Sequence, residues 1–331
     1  MEKSVLMMGG SGQAGSDTAA ILRRWYPELP LTIAGRNLER AQRVADQLGV
    51  ADAVTIDLAR DDLGLPADRD HSAVIATLWD SHRNGLVYAQ NRGLPYLSIS
   101  SGMVDIGPEI VASAQRANAA PVVVASHYLA GLAVLVTLDA ARAFERVDAV
   151  RISAVLDESD AGGPAGLADL ERWATVTSAG LVRRDGVFTW IAEAEAQTRV
   201  ASIDGTSLAG QSVAILDVPS LAFATGAPNV RFDLAIGESA SRRRGDAAAT
   251  ELRIDLAGTG PAGTALATSH YLMHPAGQRP LTALALALNV ERLLGLRGEA
   301  VPPGIHTPES LHDPAYVIER MAEIGAVYEA V

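Results

Sequence analysis

An apolar run that ends at a cluster of glycines constrains the fold of this chain more than any other stretch. Residues 4–15 read SVLMMGGSGQAG. A short apolar run bounded by glycine is typical of a strand that is buried on both faces of a parallel sheet. Gly10, Gly12 and Gly15 then follow at the spacing G-x-G-x-x-G. Between a strand and a helix, this spacing allows a tight turn, lets a pyrophosphate approach the backbone, and lets the helix pack closely on the strand.

The glycine spacing therefore predicts a dinucleotide-binding site, although a plain strand-to-helix turn would also accept it. Free N–H groups at the start of the helix would hold the phosphates. Apolar residues at helical spacing continue to Trp25. The helix then ends at Pro27 and Pro30, and a second apolar strand follows at 31–34. The predicted phosphate loop consists of Gly10, Ser11, Gly12, Gln13, Ala14 and Gly15.

The residues after the second strand predict which dinucleotide binds. In sites that prefer NAD, an Asp or Glu about 20 residues past the glycines binds the ribose 2′-hydroxyl. This chain has Gly35, Arg36 and Asn37 at that place. Because an arginine can form paired charge-assisted hydrogen bonds with a 2′-phosphate, these residues predict an NADP(H) site. The alternative for Arg36 is a solvated charge on a loop.

Further short apolar strands alternate with helical segments as far as residue 125. The strands are expected at 53–56, 73–77, 96–99 and 121–125, with helices at 82–92 and 109–119. This alternation predicts an α/β fold with a doubly wound parallel sheet. Ligands bind outside the carboxyl ends of such strands, so we expect Asp57 near the adenine and Thr77 near the nicotinamide ribose. A surface acid is an equal alternative for Asp57.

After residue 125 the strands change from continuously apolar to alternating. Alternation at 150–156, 230–236 and 251–256 predicts a second α+β lobe with a mixed or antiparallel sheet. Helices are expected at 132–144, 164–179, 280–294 and 314–328, and 280–294 is apolar nearly all round. We predict a dinucleotide-binding domain at 1–128, a substrate and dimerisation domain at 129–300, and a C-terminal segment at 301–331 that packs back on the first domain.

Composition excludes several classes of function. The 331 residues carry a formal net charge of −12, which argues against nucleic acid as a partner. The absence of cysteine excludes disulfides, thiolate nucleophiles and cysteine-ligated metals. No apolar run is long enough to span a membrane, and the first strand begins too early to leave room for a signal peptide. We therefore expect a cytoplasmic protein that acts on a small molecule.

The candidate catalytic residues follow the sixth strand. Lys3 is the only lysine, so neither a Schiff-base lysine nor a Tyr-x-x-x-Lys pair is available. His127 and Tyr128 leave the sixth strand at the edge where ligands bind, and we predict that one of them donates the proton as hydride is transferred. The alternative is a structural histidine that caps the next helix. His270 falls in a strand predicted at 264–272, His274 follows four residues later, and no carboxylate cluster accompanies them, so we predict no metal site.

Four stretches carry a resemblance to a known family. They are VLMMGGSGQAG, IAGRN with LERAQRVADQLG behind it, the strand approach at 93–98, and Gly304-x-x-x-Pro308-Glu309. Through them the chain resembles the saccharopine dehydrogenase-like oxidoreductases. The resemblance implies a Rossmann lobe, a mixed-sheet lobe, NADP or NAD, and interconversion of imines with amines derived from amino acids. The chain departs from the family at Ala130 and Gly131, where a Pro-Gly turn is expected, and by lacking an active-site lysine.

The resemblance and the predicted NADP(H) residues together imply an NADPH-dependent oxidoreductase that reduces a C=N or C=O bond of a small metabolite. A second hypothesis is a non-catalytic NADP(H)-binding redox sensor or scaffold, which the missing lysine and the altered turn leave open. The alternating strand at 230–236, together with a charged fraction of 20%, also predicts a homodimer through the second lobe.

Overall fold

The chain forms two compact units in the computed structural model, which describes residues 3–99, 102–103, 105–160, 171–172 and 178–331. The first unit contains Met1–Ser126 and Thr282–Leu311, and the second contains His127–Leu281 and His312–Val331. This division differs from the predicted domains at 1–128, 129–300 and 301–331. The reason is that one returning segment adds a helix and a strand to the first unit before the chain re-enters the second.

A parallel sheet forms the centre of the first unit. Numbered in chain order, its strands are β1 (Ser4–Met8), β2 (Leu31–Gly35), β3 (Ala51–Thr55), β4 (His71–Ala76), β5 (Tyr96–Ser98), β6 (Pro121–Val124) and β15 (Gly304–His306). Within the described residues these seven strands are all parallel and lie in the order β15-β6-β5-β4-β1-β2-β3. The connections lead in opposite directions on the two sides of β1, so the predicted doubly wound sheet is confirmed.

Helices connect and flank these strands. They are α1 (Gln13–Trp25), α2 (Leu38–Leu48), α3 (Asn84–Arg92), α4 (Ile106–Gln115) and the larger part of α7 (Arg279–Leu293). The apolar residues of α7 are buried all round, as its sequence predicts. In the first unit, Tyr26 after α1 donates a hydrogen bond to Glu291 Oε1 at 2.5 Å, and the Thr18 hydroxyl lies 3.4 Å from the carbonyl oxygen of Ala283. These contacts fix α7 against α1.

The second unit is built on a mixed sheet, as predicted. In the described residues this sheet has nine strands, which are β7 (Arg146–Leu156), β8 (Gly180–Arg184), β9 (Val187–Ile191), β10 (Gln197–Ala201), β11 (Ser207–Ser212), β12 (Asn229–Ile236), β13 (Thr250–Thr259), β14 (Ala265–His274) and β16 (Val327–Ala330). The strands β7 and β12 pair in parallel, and the other pairs are antiparallel. The main helices are α5 (Leu132–Ala141), α6 (Asp217–Thr225) and α8 (Pro314–Ala322).

The C-terminal segment differs from the helix predicted at 314–328. The helix α8 ends at Ala322, and Gly325 adopts a φ of +75°, which breaks the helical path. The following residues form β16, which pairs antiparallel with β14. A strand of four residues is too short to show a period of its own, so the helical pattern before it was extended too far. The helix predicted at 164–179 lies almost entirely outside the described residues.

The strand predicted to offer a dimerisation face lies inside the sheet. β12 has β11 and β8 on one side and β7 on the other. Phe232 is buried on one of its faces, and Asp233 and Ala235 are buried on the other. The expectation of a whole free face at 230–236 is therefore wrong, because Phe232 packs against the Tyr128 ring on one face and Ala235 packs with Val155 and Val200 on the other. Among the described residues, no helix is long and apolar enough to cross a membrane.

One buried histidine lies at the amino end of β4. The His71 side chain is 2% exposed, its Nδ1 lies 3.2 Å from Ser4 Oγ, and its ring centre lies 6.2 Å from that of Tyr88. Burial, and after it the charge of Arg69, lower the pKa of His71 from 6.5 to about 4. Between these pH values an unfolded chain binds a proton that the folded protein does not.

We therefore expect His71 to make the protein sensitive to acid. Its contribution to the free energy of unfolding is fully present above pH 6.5 and is lost as the pH falls toward about 4. The loss from this residue reaches at most about 3 kcal/mol. His71→Phe cannot titrate and should lack this part of the pH dependence in urea unfolding at neutral and acidic pH. An identical pH dependence in the two proteins would contradict the expectation.

Candidate functional site

The glycine loop turns at Gly9, one residue earlier than its spacing suggests. Gly9 has a φ of +80°, a conformation that other residues adopt only with strain. Gly10 is required for space instead, because a Cβ at that position would lie 2.8 Å from the carbonyl oxygen of Met7. The N–H of Gly12 donates to the carbonyl oxygen of Gly9 at 2.8 Å and closes the turn. The sequence interpretation missed Gly9, although the Gly-Gly pair after the strand was a signal.

Gly15 sets how closely α1 approaches the end of β1. A Cβ on Gly15 would lie 2.4 Å from the carbonyl oxygen of Gly9 and 2.9 Å from Thr77 Oγ1. The Thr77 hydroxyl donates to the carbonyl oxygen of Met8 at 3.0 Å, and its backbone N–H donates to the same oxygen at 2.9 Å. Thr77 therefore ties the end of β4 to β1 immediately beside the loop.

The start of α1 has no protein cap. Gly12 is the N-cap residue, its backbone is extended, and it has no side chain that could accept from the first helical N–H groups. Gln13 is exposed, and Ser11 and Ala14 are half-buried around it. These N–H groups lie beside β1, where the strand order reverses and where doubly wound folds bind dinucleotide phosphates. The loop thus fits a pyrophosphate, which would supply the missing acceptor.

Arg36 lies next to the loop, at the end of β2. A Cβ on Gly35 would lie 3.1 Å from Ser11 Oγ, so the two segments are in contact. The Arg36 side chain is exposed and makes no hydrogen bond or ion pair with the described residues. Asn37 has a structural role, because its Oδ1 accepts from the N–H of Arg40 at 2.9 Å and caps α2. Of the three predicted residues here, Arg36 is the one with a guanidinium available to a ligand.

Asp57 lies in a turn after β3 and is exposed. Its Oδ1 accepts from the N–H of Ala59 at 3.0 Å, and its own N–H donates to the carbonyl oxygen of Leu63 at 3.0 Å. This is the pattern of an Asx turn. The carboxylate keeps its second oxygen for solvent or a ligand, so contact with the adenine stays a prediction.

His127 and Tyr128 precede a strained turn in the second unit. Leu129 and Ala130 have φ values of +53° and +56°, and Gly131 follows at +97°. Each non-glycine residue in this conformation costs about 1 kcal/mol or more. Leu129 and Ala130 are nevertheless buried, at 4% and 3% exposure. Such strain persists only where surrounding contacts hold the backbone, and it is typical of functional sites.

The helix α6 provides the contacts that hold this turn. Asp217 is fully buried, and its Oδ2 accepts from the backbone N–H of Tyr128 at 2.8 Å. Ser220 Oγ lies 2.8 Å from His127 Nε2, within hydrogen-bonding distance. The two helical residues are three positions apart and therefore share one face of α6. The sequence interpretation missed both, because nothing in a single sequence links them to residues about ninety positions earlier.

The Tyr128 hydroxyl is the buried polar group without a partner at this turn. It makes no hydrogen bond within the part of the chain that the structure describes, although its ring packs 5.2 Å from that of Phe232. Burial raises the pKa of Tyr128 well above its usual value, and the charges of Asp160 and Asp217 raise it further. The phenol therefore stays protonated near neutral pH. It can donate a hydrogen bond to a ligand atom that reaches it.

Other titratable residues of the second unit are engaged in structure. The carboxylate of Asp160 accepts from the N–H of Gln278 at 2.7 Å and from Thr250 Oγ1 at 3.1 Å. His270 stacks on Tyr328 with ring centres 5.6 Å apart. His274 Nε2 lies 2.9 Å from the carbonyl oxygen of Ile324. Among the described residues, no group of His, Cys, Asp or Glu is placed to hold a metal ion.

A depression of about 390 Å³ on the mixed sheet contains none of the predicted site residues. Arg151 and Arg231 line it, and both bond to the buried carboxylate of Asp233, at 2.8 and 2.9 Å. Their charges therefore stabilise a buried acid. We do not assign this depression to the active site.

Comparisons with known proteins support the fold. Neither a family model nor a curated protein matches the sequence. The structure is similar to apo saccharopine dehydrogenase (L-Glu forming) from Saccharomyces cerevisiae, with a TM-score of 0.71 and 12% identity over 100% of both chains. Myo-inositol dehydrogenase from Corynebacterium glutamicum gives a TM-score of 0.49 with 16% identity, over 100% of this chain and 99% of that one. The likeness to saccharopine dehydrogenase shows that the chain has the fold of the saccharopine dehydrogenase-like NAD(P)-binding oxidoreductases, which confirms the expected fold.

Proposed function

We propose that this chain is an NADPH-dependent oxidoreductase that reduces a C=N or C=O bond of a small metabolite, such as one derived from an amino acid. The observation that carries the proposal is the uncapped start of α1 behind the Gly9-to-Gly15 turn, since its free N–H groups are placed to bind an anionic group. The fold shared with saccharopine dehydrogenase supports the reaction class. That likeness is one of fold, so the choice of substrate rests on experiment.

The cofactor would be held by the first unit. In this proposal the backbone of Gly10, Ser11, Gly12, Gln13, Ala14 and Gly15 binds the pyrophosphate. Gly35, Arg36 and Asn37 line the adenine ribose, with Arg36 paired to the 2′-phosphate. Asp57 lies toward the adenine and Thr77 toward the nicotinamide ribose. When bound, the nicotinamide supplies the hydride.

Tyr128 is the proposed proton donor. Its hydroxyl is buried, protonated and without a hydrogen bond to the described residues, so a substrate nitrogen or oxygen would satisfy it. His127 is the second candidate, and its contact with Ser220 orients the ring. As hydride reaches the carbon of the C=N or C=O bond, the neighbouring heteroatom gains electron density and takes the proton. The strained turn at 129–131 would hold both side chains in one orientation.

Two observations favour a second candidate, a non-catalytic NADP(H)-binding sensor or scaffold. His127 Nε2 is occupied by Ser220, and the chain has no active-site lysine. A panel of imines and carbonyl compounds, followed by NADPH absorbance, separates the two candidates. Oxidation of NADPH that depends on one compound supports the reductase. Tight binding of NADPH without oxidation by any compound supports the sensor.

The cofactor proposal predicts that Arg36→Ala weakens NADPH binding selectively. Loss of a charge-assisted pair to the 2′-phosphate should cost about 1.5–3 kcal/mol of binding free energy. NADH lacks that phosphate, so its affinity should stay nearly unchanged. Fluorescence titration with both cofactors measures the two affinities.

Arg43→Ala is the matched control for this prediction. Arg43 is exposed like Arg36, but it lies on α2 and its guanidinium pairs with Glu39 at 2.7 Å. Its removal should leave both affinities at the wild-type value. Equal losses of NADPH and NADH affinity in Arg36→Ala would show that Arg36 does not read the 2′-phosphate.

A further inference from the structure

The strand β9 forms an unprotected edge of the second unit. It pairs along its whole length with β8, and β8 joins the rest of the sheet through Arg183 opposite Val230. Within the described residues, no strand pairs with the other side of β9. Apart from the β8 ladder, the backbone of β9 takes part in one hydrogen bond, from Thr189 Oγ1 to the carbonyl oxygen of Val187 at 3.4 Å. Its outward N–H and C=O groups are therefore available to another strand.

The sequence of β9 lacks the features that normally prevent edge pairing. It reads VFTWI, with no charge and no proline, and all five residues favour strands. Natural edge strands are protected by charged residues, above all lysine, or by proline and bulges. The other edge strands of this sheet follow that rule, since β10 contains Arg199 and β16 contains Glu329. β9 alone among these three has the composition of a strand that is covered.

Large apolar side chains beside the edge are exposed. Val187 is 63% exposed and Trp190 is 57% exposed, and Phe223 at the end of α6 is 75% exposed. Phe188 joins them, with its ring centre 5.6 Å from that of Phe223. Phe188, Trp190 and Phe223 lie on one side of β9, and we call these three residues the β9 patch; Val187 projects from the other face of the strand. Its exposed area is on the order of 300 Å², which is as large as the main apolar patch of many monomers and typical of an interaction site.

We propose that β9 pairs antiparallel with β9 of a second copy of this chain, so that the two mixed sheets join across a two-fold axis. A two-fold axis through Thr189 places Phe188 opposite Trp190 of the second copy, an aromatic pair of the kind that stabilises antiparallel strands. The pairing is self-complementary, as a closed dimer requires.

The β9 patch differs from most of the surface in its lack of charge. A chain with a net charge of −12 repels a second copy over most of its surface. The β9 patch itself contains no charged residue, and Arg184 beside it is neutralised by Glu195 at 2.7 Å. Asp185 and Glu193 flank the ends of β9 and would approach their counterparts across the axis. Salt screens such like charges without weakening apolar contacts, so the dimer should become stronger as ionic strength rises.

Sedimentation equilibrium of the full chain at micromolar concentrations tests the proposal. The wild type should show the mass of two chains, while Val187→Lys and Trp190→Lys should weaken association about tenfold or more, because lysine is the residue that natural edges use against pairing. Val111→Lys is the matched control, since Val111 is 61% exposed on α4. It should dimerise like the wild type. A monomeric wild type, or a dimer that tolerates both β9 variants, would overturn the proposal.

A cross-link tests the geometry without a disruptive substitution. The chain contains no cysteine, so Thr189→Cys carries a single thiol. Antiparallel pairing about this residue brings the two Cα atoms to about 4.5–5.5 Å, which is within disulfide range. Mild oxidation should then give a covalent dimer on a non-reducing gel, and Val111→Cys should not. A Thr189→Cys protein that stays monomeric under these conditions would overturn the antiparallel pairing.

Discussion

Replacing Tyr128 with phenylalanine is expected to lower turnover by about 10²–10⁴-fold, the range that a positioned acid contributes. The Tyr128 ring packs 5.2 Å from the ring of Phe232, and phenylalanine keeps that contact. The hydroxyl alone is lost, and it makes no hydrogen bond within the described residues. The substitution therefore removes a chemical group while the packing stays the same. The NADPH absorbance assay measures the effect, on a compound that the wild type reduces.

Stability and cofactor affinity separate a chemical role of Tyr128 from a structural one. Because a buried hydroxyl without a partner is unfavourable, Tyr128→Phe should leave the free energy of unfolding unchanged or raise it by about 1 kcal/mol. Tyr328→Phe is the matched control, since its hydroxyl donates to the carbonyl oxygen of Val136 at 3.0 Å. It should lose about 1 kcal/mol of stability and keep its turnover. If Tyr128→Phe keeps the turnover of the wild type, Tyr128 is not the proton donor. His127 is then the remaining candidate, and His127→Ala tests it.

The first unit is predictable from sequence because its signals are local. The run before Gly10, the glycine spacing and the alternation of strands with helices each lie within about thirty residues, the length of one βαβ unit. The proposal for Arg36 also rests on a local signal, because its position relative to the glycines is fixed by that unit. These signals predict a doubly wound parallel sheet, and the structure places the six strands in the order β3-β2-β1-β4-β5-β6.

The contacts around His127 and Tyr128 are long-range and leave no local pattern. Asp217 and Ser220 reach the 127–128 backbone and ring from a helix that a sequence interpretation cannot place. The strands β15 and β16 consist of three and four residues and obtain their pairing from strands far away in the chain. The left-handed conformation at Ala130 is also hidden, because alanine rarely adopts it and the surrounding contacts impose it.

Gly15→Ala is expected to reduce NADPH affinity about 100-fold or more and to destabilise the first unit. The added Cβ would lie 2.4 Å from the carbonyl oxygen of Gly9, a backbone atom that cannot rotate away. Either α1 moves away from β1 or the Gly9 turn opens, and both changes displace the N–H groups proposed to bind the pyrophosphate. Forcing an extra methyl into such a contact typically costs about 1–3 kcal/mol of stability. Urea unfolding and fluorescence titration measure the two effects.

Two further glycine variants show whether the loss belongs to this contact. Gly107 lies on α4 with open space around its Cβ position, so Gly107→Ala should bind NADPH normally and gain up to about 1 kcal/mol of stability. A Cβ on Gly12 would lie 3.1 Å from the carbonyl oxygen of Gly9, which a small shift relieves. Gly12→Ala should therefore fold nearly as well as the wild type but place a methyl group where the phosphate would approach, and so lose affinity without losing stability. A folded Gly15→Ala protein with wild-type NADPH affinity would show that the approach of α1 to β1 does not form the cofactor site.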